Sequence, residues 1–306
     1  MRAGSSALRP GGPSVVALGG GHGLAKTLGA VRRYAGRVTA VVSVADDGGS
    51  SGRLREELGI PAPGDLRKCI GALLPEESPL GAALEHRFGA GGLAGHAFGN
   101  LLIAALAFTA GGFVEGVEEA CRVLRTLGAV LPATEGPVTL RADGGGEEVR
   151  GQVRIQERGG VVTVDLLPPE ARAPDSVLEA LGEADQVVIG PGSLYTSVLA
   201  ACVVPGIRDL LADLPKEPRR RVYVANLREQ LPETSGHDVA AHVWALRRHG
   251  VEVGTVLADP GGLPLGDLEA AVPGVSVRCA PVGAAGFVAH DPERLGEALE
   301  AIWAEA

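Results

Sequence analysis

The chemistry in this sequence is concentrated in four short clusters and two further pieces, each placed where a strand should end or a helix begin. Gly19-Gly20-Gly21-His22-Gly23 follows an apolar run, and glycines at a strand-to-helix turn expose N–H groups to an anion at the positive end of a helix. The loop departs from two known phosphate loops. A Walker A loop would need glycine where Ala25 precedes Lys26-Thr27, and a GxGxxG/A reading from Gly21 ends on Lys26. A tight turn without a ligand is the competing reading. Ala45-Asp46-Asp47-Gly48-Gly49-Ser50-Ser51-Gly52-Arg53 closes the second strand, where an acidic residue hydrogen-bonds a ribose or holds a metal. Adjacent carboxylates on an extended chain diverge, so one is expected to face a ligand and the other to cap the N–H groups of Gly48–Ser50. A solvated Asx turn is the alternative.

In the third cluster, Pro63-Gly64-Asp65-Leu66-Arg67-Lys68-Cys69, Asp65 reads as a helix N-cap. Basic residues at a helix start oppose the dipole, which makes sense if Arg67 meets a phosphate, a contact worth about 1.5–3 kcal/mol. Arg53 and Arg55 enter the preceding helix, whose first turn would also suit an anion. The fourth cluster holds His96 and Asn100, four residues apart at the start of the apolar helix Leu101–Phe108. Gly190-Pro191-Gly192-Ser193-Leu194-Tyr195-Thr196-Ser197 offers a second anion cradle, from the Gly192 and Ser193 N–H groups and the Ser193, Thr196 and Ser197 hydroxyls. Asn226 follows another strand. Strand C-termini of an open parallel sheet lie along one edge, so all these pieces should converge on one crevice. No GxSxG, HExxH or kinase signature occurs, and Cys69, Cys121, Cys202 and Cys279 have neither CxxC nor zinc spacing. No general base is paired with a nucleophile in the sequence pattern.

The elements that must position these residues alternate between strand and helix. Ser14–Leu18, Val38–Val44, Asp185–Ile189, Arg221–Ala225 and Val251–Leu257 are short apolar strands, as expected for strands buried on both faces, with Val275–Cys279 as an edge strand. Helices are expected over Gly23–Tyr34, Ser176–Gly182, Asp238–His249 and Pro292–Trp303. From about 52 to 126 the pattern is helical throughout. From about 130 to 167, Val138–Ala142, Val149–Gln156 and Val161–Leu167 alternate apolar and polar residues, predicting a small antiparallel β insertion. The fold class is therefore α/β: a Rossmann-like, doubly wound, mostly parallel sheet with a helical excursion and a β insertion. One domain is expected over 14–306, behind a loose tail over 1–13.

Composition narrows the function. With 45% hydrophobic and 21% charged residues the chain can build a core, so wholesale disorder is excluded. Aromatics at 3% leave no stacking platform for single-stranded nucleic acid, and a net charge of −9 opposes duplex DNA binding. The N-terminus lacks the apolar core of a signal peptide. Leu101–Ala110 is about half the ~20 residues of a membrane span. A cytoplasmic protein with no membrane span is expected.

The stretch GGGHG…SVADDGGSSGRLREELGIPAPGDLRKC…GHAFGNLL…VLPAT…GPGSLYTS…ANLREQLPETSGHDVAAHV resembles the gluconeogenesis factor family, the YvcK-type branch of the CofD-like superfamily, over about residues 14–290. That resemblance implies a cytoplasmic Rossmann-like protein binding UDP-sugars such as UDP-N-acetylglucosamine, tied to cell shape and cell-wall precursor supply during growth on gluconeogenic carbon. Carried onto this chain, the pocket would use Gly20, Gly21, His22, Gly23, Asp46, Asp47, Gly48, Gly49, Ser50, Gly64, Asp65, Arg67, His96, Asn100, Gly190, Gly192, Ser193, Tyr195, Thr196 and Asn226. The glycine loops and Arg67 would hold the diphosphate, Asp46 or Asp47 a ribose, and Asn226 the base. His22 stands where many relatives have Thr, and Glu229-Gln230-Leu231-Pro232-Glu233-Thr234 departs from the usual TQPGET. The superfamily also includes the 2-phospho-L-lactate transferase of deazaflavin coenzyme synthesis, with Mg²⁺ near its paired Asp. The longer ADDGGSSGRLR…PGDLRKC pattern favours the regulatory branch. Mg²⁺ beside Asp46 and Asp47, self-association and protein partners in cell-wall synthesis are the remaining expectations.

Overall fold

The structure, a computed structural model, describes residues 7–213, 217–287 and 289–305. Seven parallel strands form the central sheet: β1 (Ser14–Gly19), β2 (Arg37–Val42), β3 (Ala129–Pro132), β7 (Gln186–Ile189), β8 (Arg221–Val224), β9 (Thr255–Ala258) and β10 (Ser276–Cys279). Their order is β10-β9-β8-β7-β1-β2-β3. The chain leaves β1 outward through β2 to β3, then returns to β7 on the other side of β1. The topological switch point therefore lies between β1 and β7, where ligands of such sheets bind beyond the strand C-termini. Val15–Gly19, Val38–Val42 and all of β7, β8 and β9 are buried, as their apolar runs require.

Helix α1 (Gly21–Val31) follows β1 and packs against α3 (Gly64–Ala72) and α13 (Pro292–Ala304). The excursion from β2 to β3 consists of α2 (Gly49–Leu58), α3, α4 (Leu80–Glu85), a 3₁₀ turn at Gly91–Leu93, α5 (Phe98–Ala110) and α6 (Phe113–Leu124). A three-stranded antiparallel sheet, β5-β4-β6, follows, from β4 (Thr139–Asp143), β5 (Glu148–Arg150) and β6 (Thr163–Leu167), with α7 (Gln152–Arg158) between β5 and β6. Beyond it lie α8 (Asp175–Gly182), a π-helical turn at Leu194–Leu199 running into α9 (Ala200–Cys202), α10 (Pro205–Asp213), α11 (Val239–Arg248) and α12 (Leu268–Ala271). The doubly wound parallel sheet, the helical excursion and the small antiparallel sheet agree with the sequence reading.

Several boundaries differ, each for a local reason. Ala129–Pro132 belongs to the main sheet, parallel to β2, and not to the insertion, which begins at Thr139. Val149–Gln156 is a strand only to Arg150. Gly151 (φ +96°) turns the chain, and the Asp47 carboxylate accepts from the Val153 N–H at 3.0 Å, starting α7 instead. Helix α10 carries no strong sequence signal and was not expected. Helix α5 begins at Phe98, so His96 lies in the preceding loop rather than on one helical face with Asn100. Asp65 is not the cap of α3; it sits in the first turn, behind Gly64. Of the expected loose tail, residues 1–6 lie outside the described residues. Leu8 packs against the core, and Arg9 N–H donates to the Ala35 carbonyl at 2.9 Å.

Candidate functional site

At the switch point the first turn of α1 lies against the loop after β7. A Cβ on Gly23 would stand 2.2 Å from the Pro191 carbonyl oxygen, so only glycine allows this approach. A Cβ on Gly20 would meet Asp65 Oδ2 at 2.6 Å, which brings the α3 carboxylate against the glycine turn. Asp65 Oδ1 in turn pairs with Lys68 Nζ at 3.0 Å. Burial, then the nearby Lys68 ammonium, holds the His22 imidazole below its usual range, so it is neutral at pH 7. The α1 N-terminus thus presents backbone N–H groups, a neutral imidazole and Lys68 together, the parts of an anion site.

Asp46 and Asp47 diverge, though not as the sequence suggested. Asp46 Oδ1 itself accepts from the Gly48 N–H at 3.0 Å, and Oδ2 lies toward Gly64. Burial pushes the Asp46 carboxyl up, against the Gly48 hydrogen bond, and neighbouring Asp65 adds to the rise. Asp47 turns away to cap α7 through Val153. The two carboxylates therefore do not fit a shared Mg²⁺, and no group of three or more metal-ligating side chains converges among the described residues. Arg53 and Arg55 are also engaged, with the Ala94 carbonyl at 2.8 Å and the Thr139 hydroxyl.

A buried polar chain connects α2, α3 and α5. Arg67 Nε donates to Asn100 Oδ1 at 3.0 Å, and Asn100 Nδ2 donates to Ser50 Oγ at 3.1 Å. Because the guanidinium can only donate, the amide orientation is fixed, and the Ser50 hydroxyl also shares a hydrogen bond with His96 Nδ1, 3.1 Å away. The sequence pattern offered no such serine–imidazole pair, because Ser50 opens α2 and His96 lies in the loop before α5. Arg67, only 2% exposed, is ion-paired to Glu85, whose side chain is 55% exposed. A Cβ on Gly99 would strike Arg67 Cγ at 2.7 Å, so this glycine admits the guanidinium stem.

The second expected cradle is filled from within. Glu233 Oε1 accepts from Tyr195 N (2.9 Å), Thr196 N (2.9 Å) and Thr196 Oγ1 (3.1 Å). Burial pushes its carboxyl up even against these bonds. Asn226 braces the same loop: Oδ1 accepts from Gly192 N at 3.1 Å and Nδ2 donates to Gly192 O at 2.9 Å. Its amide is thus spent on the backbone rather than left free for a base. Glu233 is the residue that sequence reasoning missed; its signal was the Pro-Glu-Thr of the weakened 229–234 motif. Gly190 (φ +75°) and the Thr27 hydroxyl, which donates to the Gly190 carbonyl at 2.8 Å, complete the turn. The structure therefore gathers Gly20–Gly23, Asp46, Gly64, Asp65 and Gly190–Thr196 at the switch point, with Ser50, Arg67, His96 and Asn100 as a connected wall. A separate cavity of about 420 Å³ lies at the opposite sheet edge, between Thr255, Val277 and Ile302. Its Arg278 is paired with Glu305 and its Arg219 with Glu217, and none of the converging groups reaches it.

Known proteins resemble this chain in sequence and fold. Residues 15–269 match the family described as 2-phospho-L-lactate transferase CofD. A Deinococcus radiodurans protein provisionally named a gluconeogenesis factor is 40% identical over 95% of this chain, which spans 66% of that relative's length, just under two thirds. A Mycobacterium leprae protein with the same provisional name is 40% identical over 95% of this chain and 86% of its own. The crystal structure of a UPF0052 family member from Bacillus halodurans superposes with a TM-score of 0.87 at 34% identity, covering 94% of this chain and 98% of that one. Fold, motifs and relatives agree: the chain belongs to the gluconeogenesis factor branch of the CofD family.

Proposed function

We propose that the protein is a cytoplasmic regulator that binds a nucleotide sugar of the UDP-N-acetylglucosamine type and links cell morphogenesis and wall precursor supply to gluconeogenic growth. The observation that carries this reading is the open α1 N-terminus at the switch point, flanked by His22, Lys68 and the Arg67–Glu85 pair. The diphosphate would lie on the Gly20–Gly23 N–H groups. Arg67 would meet it by exchanging Glu85, the exposed half of its ion pair, for a phosphate oxygen. Asp46, half-buried and adjoining this turn, suits a ribose hydroxyl, and the His96 imidazole a sugar hydroxyl. Among the described residues no single helix is long and apolar enough to cross a membrane.

Calorimetry with UDP-N-acetylglucosamine, UDP-glucose, UMP and uridine tests the reading. Saturable binding of a UDP-sugar is expected, with Arg67→Ala losing far more affinity for it than for uridine. No binding at high micromolar ligand would overturn the proposal. The second reading, a phospholactate-type transferase, is favoured by the description of the matching family. It predicts a mass-detected adduct from deazaflavin acceptor and nucleotide-activated phospholactate with Mg²⁺; its absence across metals removes that reading.

A further inference from the structure

The charged groups that meet at the α1 turn cancel one another. Lys68 is paired with Asp65 and Arg67 with Glu85, while burial, followed by Lys68, keeps the His22 imidazole neutral. Asp65 and Glu85 both pull that imidazole back up, so each carboxylate lies within electrostatic reach of the turn. Asp46, beside Gly64, only adds to the negative side. A dianionic group arriving here finds the α1 N–H groups but no net positive charge.

The two carboxylates are held very differently. Asp65 sits in the first turn of α3, its side chain 11% exposed and Oδ2 against Gly20. Glu85 closes the short helix α4, where Leu84 is the one buried residue, and its own side chain is 55% exposed. A carboxylate at the last helical residue faces the negative end of the dipole, so α4 itself does not favour it there. Its partner is the reverse. The Arg67 side chain is 3% exposed, Nε is tied to Asn100, and Gly99 admits the stem. Nη1 is buried without an aligned hydrogen bond, so Glu85 serves it as a charge alone. A fixed, buried cation therefore has a counter-ion free to swing into water without disturbing the core.

We infer that Glu85 is an internal competitor that selects the ligand of this turn by charge: an anion enters only if it holds Arg67 better than a carboxylate tethered in the same molecule. A carboxylate ligand would exchange like for like, against a rival at high effective concentration. A phosphate or diphosphate brings more charge, and oxygens for Arg67 and for the α1 N–H groups at once. A neutral nucleoside makes no demand on Arg67 and gains nothing from the exchange. The inference deepens the nucleotide-sugar reading and rests on it for the identity of the whole ligand, while its own content concerns the diphosphate end.

Calorimetry with inorganic pyrophosphate, UDP-N-acetylglucosamine and uridine on the wild type and Glu85→Gln tests it. The variant is expected to bind pyrophosphate and the nucleotide sugar about five- to tenfold more tightly, since one half-exposed ion pair no longer opposes them, with uridine unchanged. The gain should persist at about 0.5 M salt, because a contact on a buried guanidinium is screened far less than a distant surface charge. Glu85→Asp, one methylene shorter, keeps the charge and should fall between the two; it preserves the test if Gln, by leaving Arg67 unpaired, costs the fold. Wild-type affinity or weaker binding in Glu85→Gln overturns the inference. So does a gain that vanishes in high salt, or the absence of pyrophosphate binding to wild type and variant alike. Failure of the nucleotide-sugar reading looks different: UDP-N-acetylglucosamine then binds no better than pyrophosphate, while the effect of Glu85 on pyrophosphate remains.

Discussion

Replacing Glu233 measures how much of the switch-point architecture depends on a carboxylate built into the fold. Its Oε1 satisfies the Tyr195 and Thr196 main-chain N–H groups and the Thr196 hydroxyl, and the residue is 1% exposed. In Glu233→Ala the two N–H groups lose their acceptor at a buried helix start. Each orphaned donor costs about 1–3 kcal/mol, while the hydroxyl can rotate to another acceptor. A loss of about 3 kcal/mol, a factor of roughly 150 in the folding constant, follows after allowing for water entering the gap. Glu233→Gln keeps one acceptor oxygen and loses only the charge-assisted part of the bonds, so about 1 kcal/mol is expected. Urea unfolding followed by circular dichroism reads both values. Inorganic phosphate provides a second readout. In Glu233→Ala the vacated N–H groups form an anion site, so phosphate should raise its midpoint more than it raises that of the wild type. If Glu233→Ala stays within about 0.5 kcal/mol of the wild type, or Gln costs as much as Ala, the account of this carboxylate as the loop's counter-charge is wrong.

Two further expectations concern stability. Burial holds His242 and His290 at about 4, against an ordinary 6.5. The unfolded chain therefore binds their protons between pH 6.5 and 4 while the folded chain does not, and stability falls as pH drops through that window, by up to about 3 kcal/mol per residue. Gln at 290 retains a donor for the Ala225 carbonyl and should flatten the pH dependence measured by urea titration; an unchanged slope refutes the assignment. Gly23→Ala should destabilise by roughly 1–3 kcal/mol, because its Cβ would meet backbone atoms of Pro191 and Gly192 that have nowhere to go. Gly71→Ala, in α3 with open space around it, should be neutral or stabilising in the same thermal melts.

What the sequence settled by itself follows from short-range physics. Apolar runs such as Val38–Val42 and Gln186–Ile189 demand burial on both faces, and their alternation with amphipathic helices leaves a parallel doubly wound sheet as the economical solution. Once the strands are parallel, the glycine turns after β1 and β7 must share one edge, so where the candidate site should lie was legible before any coordinates. The long motifs gave the family in the same way. Which groups remain free at that edge was not legible, because it depends on partners far apart in the chain. Asp47 is claimed by Val153, 106 residues away, Asn226 by Gly192 and the 195–196 amides by Glu233. Arg67 is drawn inward by Asn100 and Glu85. Sequence spacing says which side chains can donate or accept; only the tertiary structure decides which of them are already satisfied, since each hydrogen bond is assigned by distance in space. The carboxylates that reach the α1 turn from distant segments, Asp65 and Glu85, are already balanced by Lys68 and Arg67, which leaves the backbone N–H groups beside His22 for a ligand.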